Sequence, residues 1–82
     1  MTPAAHATTA ATELANSVAA TTDPTESAVH ARAAAVHAVL AGKAGTGANY
    51  TNAETELSAA DNLREFRLMR LDRALAYAHL AD

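Results

Sequence analysis

The chain has 82 residues, half of them apolar but only 4% aromatic, with no cysteine and a formal charge of -3. Such a length admits one domain and buries only about 60% of the surface its unfolded form exposes; with alanine filling more than a quarter of the positions, stability is marginal and self-association or a protein partner is the usual remedy. Disulfides, thiolate metal sites and cysteine nucleophiles are excluded, and the charge is too small for a DNA mimic and of the wrong sign for a chain that binds nucleic acid over its whole surface.

Three helices are predicted in chain order. The first covers about residues 3–21, with Thr2 placed to cap it and Pro3 at the first helical position, where a missing N–H costs nothing. Its larger apolar side chains are Leu14 and Val18, four residues apart. The second covers residues 24–41. Asp23-Pro24-Thr25-Glu26 supplies a cap carboxylate, a first-turn proline and a glutamate able to reach back to the cap. Val29, Val36, Val39 and Leu40 form its apolar side, and Gly42 suits a left-handed residue after the last turn.

Residues 42–50 read as a flexible connection. Gly42-Lys43-Ala44-Gly45-Thr46-Gly47 shares letters with a phosphate-binding loop, but its lysine follows the first glycine and leaves a helix, so no nucleotide site is expected.

The third helix is predicted over residues 52–81, opened by a capping box of Thr51 and Glu54 and uninterrupted by glycine or proline. Leu57, Ala60, Leu68, Leu71, Leu75 and Ala78 share one face, and Leu63, Phe66, Ala74, Tyr77 and Leu80 form a second apolar flank. A continuous helix of this length measures about 45 Å, whereas a compact chain of this size is roughly 30 Å across. Either the helix breaks or its far end docks on another molecule; the two apolar flanks favour docking, with Leu57, Leu63, Phe66, Leu68, Leu71 and Leu75 at the interface. The expected fold is all-α: one domain over residues 1–82, a small bundle or hairpin with a long C-terminal helix.

Little in the chain points to catalysis, a cofactor or a metal. His30 and His37 share a helix face but stand seven residues apart, about 10 Å along the axis and too far for one ion. No serine sits in a nucleophile elbow, and neither enzyme activity nor a small-molecule substrate is expected. Arg64, Arg67, Arg70 and Arg73 recur every third residue, which spirals them around a helix of 3.6 residues per turn. They read as an ion-pair face toward solvent or a neighbouring subunit; phosphate or nucleic-acid contact is opposed by Asp61, Glu65 and Asp72 in the same stretch. No run of 18 apolar residues occurs, so no membrane span is expected, and the start lacks the basic and apolar blocks of a signal peptide.

Ala33-Ala34-Ala35-Val36-His37-Ala38-Val39-Leu40, a glycine-bearing turn and then Tyr50-Thr51-Asn52-Ala53-Glu54 together resemble the second half of the PE and Trp-x-Gly families of type VII secretion substrates. That resemblance covers about a third of the chain. It implies a folded helical pair exported by a non-classical route, with Tyr50 and Glu54 as the Tyr-x-x-x-Asp/Glu export signal and residues 33–40 packing on a partner. The residues themselves support a non-catalytic interaction or assembly subunit, such as a homo-oligomer or a phage or virion structural component. Such a subunit would be cytoplasmic or embedded in the larger assembly and would act through its C-terminal helix.

Overall fold

The computed structural model describes residues 1–62 and 66–82, the side chain of Asn62 excepted. The described residues are all-helical: α1 (Pro3–Ala19), α2 (Pro24–Ala41), α3 (Ala48–Asn62) and α4 (Arg67–Leu80). Two of the starts follow their sequence signals. The Thr2 hydroxyl accepts the Ala5 N–H ahead of Pro3, and the Asp23 carboxylate accepts the Glu26 N–H ahead of Pro24. Each cap satisfies one of the donors that a helix start leaves orphaned. The first helix stops at Ala19, two residues early, where the Thr21–Thr22 turn reverses the chain.

The expected 52–81 helix is two helices. Phe66, at φ 60° and ψ 24°, is left-handed and stands immediately before α4, so α4 starts in a new direction. Asn49 Nδ2 donates to the Leu80 carbonyl at 3.4 Å, which places the end of α4 beside the start of α3 and makes the pair antiparallel. Burial explains the break: a rod of about 45 Å would overrun a body of 38 × 24 × 17 Å, whereas the hairpin returns Leu71, Ala74 and Ala78 to the core.

The start of α3 also departs from its signal. Thr51 N–H bonds the Gly47 carbonyl at 3.1 Å, so the helix is already closed a turn before the expected cap, and Thr51 and Glu54 are not a capping box. Consequently the connection is residues 42–47. Gly42 lies at φ -92° rather than left-handed; positive φ falls instead on Gly45 and Gly47. At Gly45 a Cβ would lie 3.0 Å from the Pro3 ring, so glycine is favoured by its positive φ and by the tight approach of that ring. The same connection caps the end of α4, with Ala44 N–H on the Asp82 carbonyl at 2.8 Å and Lys43 Nζ on that of His79 at 3.4 Å.

The apolar core belongs to three helices. Val36 and Leu40 of α2, Tyr50, Ala53, Leu57 and Ala60 of α3, and Leu71, Ala74 and Ala78 of α4 are buried together with Ala81. By contrast, among the described residues the backbone of α1 packs along that of α2 alone, and its one buried residue is His6; Leu14 and Val18 are 58% and 73% exposed. Polar ties hold α1 down. Ser17 Oγ donates to the Ser27 carbonyl at 2.7 Å, and Ser27 Oγ returns a bond to the Ser17 carbonyl at 2.9 Å.

Candidate functional site

Folding α1 on α2 about the Thr21–Thr22 turn sets residues equidistant from that turn against each other. Nearest the turn Ser17 meets Ser27, then Glu13 meets His30, and farthest out His6 meets His37. Among the described residues, the backbones of α1 and α3 do not approach one another. The gap is a cleft of about 490 Å³ whose walls include Thr9 and Glu13 on one side and Leu57, Ser58 and Asp61 on the other. Val29 and Ala33 of α2 and Arg67 and Leu71 of α4 also line it.

One end of the cleft is closed by a chain of side chains. Tyr50 and Glu54, a turn apart on α3, face α1: the Glu54 Oε2 lies 3.1 Å from His6 Nε2 and 2.8 Å from the amino group of Met1, and the Tyr50 hydroxyl donates to the Met1 carbonyl at 2.7 Å. The Tyr50 ring stands edge-on to His6 with centroids 5.6 Å apart. His6 Nδ1 in turn lies 2.7 Å from His37 Nδ1, with the rings 4.9 Å apart.

The protons in this chain follow from the inventory of donors and acceptors. A carboxylate only accepts, so His6 Nε2 carries hydrogen; a neutral ring has one N–H, so His6 Nδ1 is an acceptor and His37 Nδ1 must be the donor. The remaining ring lone pair of the two imidazoles is on His37 Nε2. Burial holds both imidazoles below the ordinary histidine value, with Glu54 partly opposing this at His6. At His37 the neighbouring His6 pushes in the same direction as burial, against Glu13, Asp61 and Glu54. For the Tyr50 phenol, burial and then the Glu54 charge raise its pKa, keeping it a donor.

The other end is a chain of polar contacts. His30 Nδ1 is 2.6 Å from Glu13 Oε2, its Nε2 is 3.7 Å from Glu26 Oε2, and Arg67 reaches Glu26 at 3.4 Å. The Arg67 Nε is buried with no partner among the described residues. Around the cleft, four carboxylates (Glu13, Glu26, Glu54 and Asp61) face one guanidinium and the Met1 amino group, so the potential is negative over an apolar floor.

The residues expected to form a site are scattered by this fold. Leu57 and Leu71 are buried in the chain's own core, Leu75 packs against it, Leu68 is half-buried, Phe66 is 70% exposed, and Leu63 lies outside the described residues. Arg67 and Arg70 pair within the chain, the latter with Glu56 at 3.3 Å; Arg73 is exposed and Arg64 lies outside the described residues. Tyr50 is buried, and Glu54 is turned onto His6. His6 and His37 were not paired by the sequence reading, which weighed histidines within one helix. The detectable signal is the matched spacing of seven in His6/Glu13 and His30/His37 on either side of one turn.

Among the described residues no group of three or more histidines and carboxylates converges as metal ligands, and no helix is long and apolar enough to cross a membrane. No protein-family model, curated protein or solved structure matches this chain.

Proposed function

We propose that this protein is a non-catalytic helical interaction module that receives a cationic, amphipathic segment of a partner protein in the cleft between α1 and α3. The observation that carries this reading is the cleft itself, an open trough with an excess of carboxylates around Val29, Ala33, Leu57 and Leu71. Its depth comes from α1 standing off α3, and its apolar floor supplies the area that charge alone cannot. A binding rather than a chemical role is supported by the use of the buried imidazole: both ring nitrogens of His6 are taken, by Glu54 and His37.

This reading keeps protein–protein interaction as the function but moves the surface. The leucines expected to seat a partner are largely spent on the α3–α4 hairpin, which leaves the cleft as the unfilled space. Titrating a short Leu/Lys amphipathic helix into isotope-labelled protein tests it. Amide shifts should concentrate at Glu13, His30, Leu57, Ser58 and Asp61 and weaken with added salt. No shifts at saturating peptide, or shifts confined to the outer face around Val18 and Leu80, would overturn it.

A further inference from the structure

We propose that the His6–His37 pair is a proton-operated latch on this cleft, holding α1 against α2 and α3 until both imidazoles are cationic and then releasing it. The attachment of α1 is slight. The helix contributes no apolar side chain to the buried core, packs its backbone along that of α2 alone among the described residues, and reaches α3 through His6, Met1 and the Tyr50–Glu54 face. An element held by few buried apolar contacts opens at low free-energy cost, so its polar ties decide its position.

Ser17 and Ser27 tie the end of α1 nearest the turn at any pH; the ties at its far end count protons. In the neutral pair His37 Nδ1–H donates to the bare Nδ1 of His6, while His6 Nε2–H donates to Glu54. A first added proton goes to His37 Nε2, which leaves the bridging hydrogen where it was and makes the bond charge-assisted. A second must go to His6 Nδ1. Two N–H groups then point at each other across 2.7 Å with a positive charge on each ring, and the contact is lost by both missing acceptor and repulsion. The groups facing the pair are Glu13 on α1, His30 and Glu26 on α2, Tyr50, Glu54 and Asp61 on α3, Arg67 on α4, and the Met1 amino group. Glu54 is the carboxylate in contact, and its single charge is already shared with that amino group, so it cannot balance two imidazolium rings as well. The lowered affinity of both rings for protons places the release below the ordinary histidine range of about 6.5.

What enters the opened cleft rests on the binding reading above; the opening itself does not. Because the chain has no cysteine, cysteines introduced at the exposed Thr12 of α1 and Thr55 of α3 take two spin labels and no more. Between about pH 7.5 and pH 5, the latch predicts a reversible lengthening of the label distance while far-UV ellipticity stays constant. His37→Gln, whose amide can still donate to His6 Nδ1 but does not titrate, should keep the short distance throughout. An unchanged distance once imidazole nitrogen shifts show both rings protonated overturns the latch. So does the same opening in His37→Gln, which would assign it to carboxylates, or a lengthening that coincides with loss of ellipticity, which would be unfolding. A cleft that opens on schedule yet shows no peptide-induced shifts at any pH would overturn the binding reading and leave the latch standing.

Discussion

His6 is the side chain on which the most depends. It is 1% exposed, and a buried polar ring is tolerable only when both nitrogens are satisfied, as they are here by Glu54 and His37. Because burial lowers the affinity of both rings for protons, the folded chain binds fewer protons than the unfolded one between the ordinary value of about 6.5 and the lowered folded values. Stability from these groups is therefore complete above that value and is lost as the pH falls through the window. Thermal melts across pH should show this slope, and His37→Gln should flatten it. Glu54→Gln makes a sharper prediction: burial lowers the His6 pKa and Glu54 partly opposes that, so its neutral isostere should move the His6 titration to lower pH still. An unchanged or raised midpoint by NMR would mean that His6 does not use Glu54 as its acceptor.

At the scale of the elements, the caps at Thr2 and Asp23 were legible because each is a local pattern with a local cause. The break between α3 and α4 was legible only as the less favoured alternative that helix length raises, and its position not at all, since residues 51–82 contain no glycine or proline and the apolar pattern continues across it. Tertiary burial, not local propensity, reverses the chain there. Phe66 sits left-handed and exposed without a cap bond, a conformation that costs a non-glycine residue roughly 1–2 kcal/mol. Phe66→Gly should therefore leave the melting temperature unchanged or raise it, by up to about 1 kcal/mol in stability. Within a continuous helix the same change would cost about 1 kcal/mol, so a drop in melting temperature would speak for the rod. Core membership gives a second test. Leu71, buried among α3 and α4 residues, should cost about 2–5 kcal/mol on truncation to alanine, whereas Val18→Ala, 73% exposed, should stay within about 0.5 kcal/mol. Equal melting of the two variants would refute the hairpin core.

For the molecule as a whole, the all-helical class followed from composition and periodicity, while the cleft did not, because it is made by pairing between helices. Glu13 and His30 look like unrelated surface residues until the Thr21–Thr22 turn brings them within 2.6 Å. Asp61 gains meaning only when α3 faces α1 across the gap. The third helix was expected to find a partner elsewhere for its leucines; the chain finds one in itself, and the space it leaves unfilled lies against α1. We propose that this space, and not the outer surface, receives a cationic helix. The most direct measurement is calorimetric affinity of one Leu/Lys amphipathic peptide for three proteins at neutral pH: the parent, Glu13→Gln/Asp61→Asn, and Asp72→Asn on the exposed face of α4. Two carboxylates lost from the cleft, at about 0.5–1 kcal/mol each, should weaken binding about tenfold, and Asp72→Asn should bind as the parent does. Equal affinity of the parent and the double variant, or a loss confined to Asp72→Asn, would contradict the account.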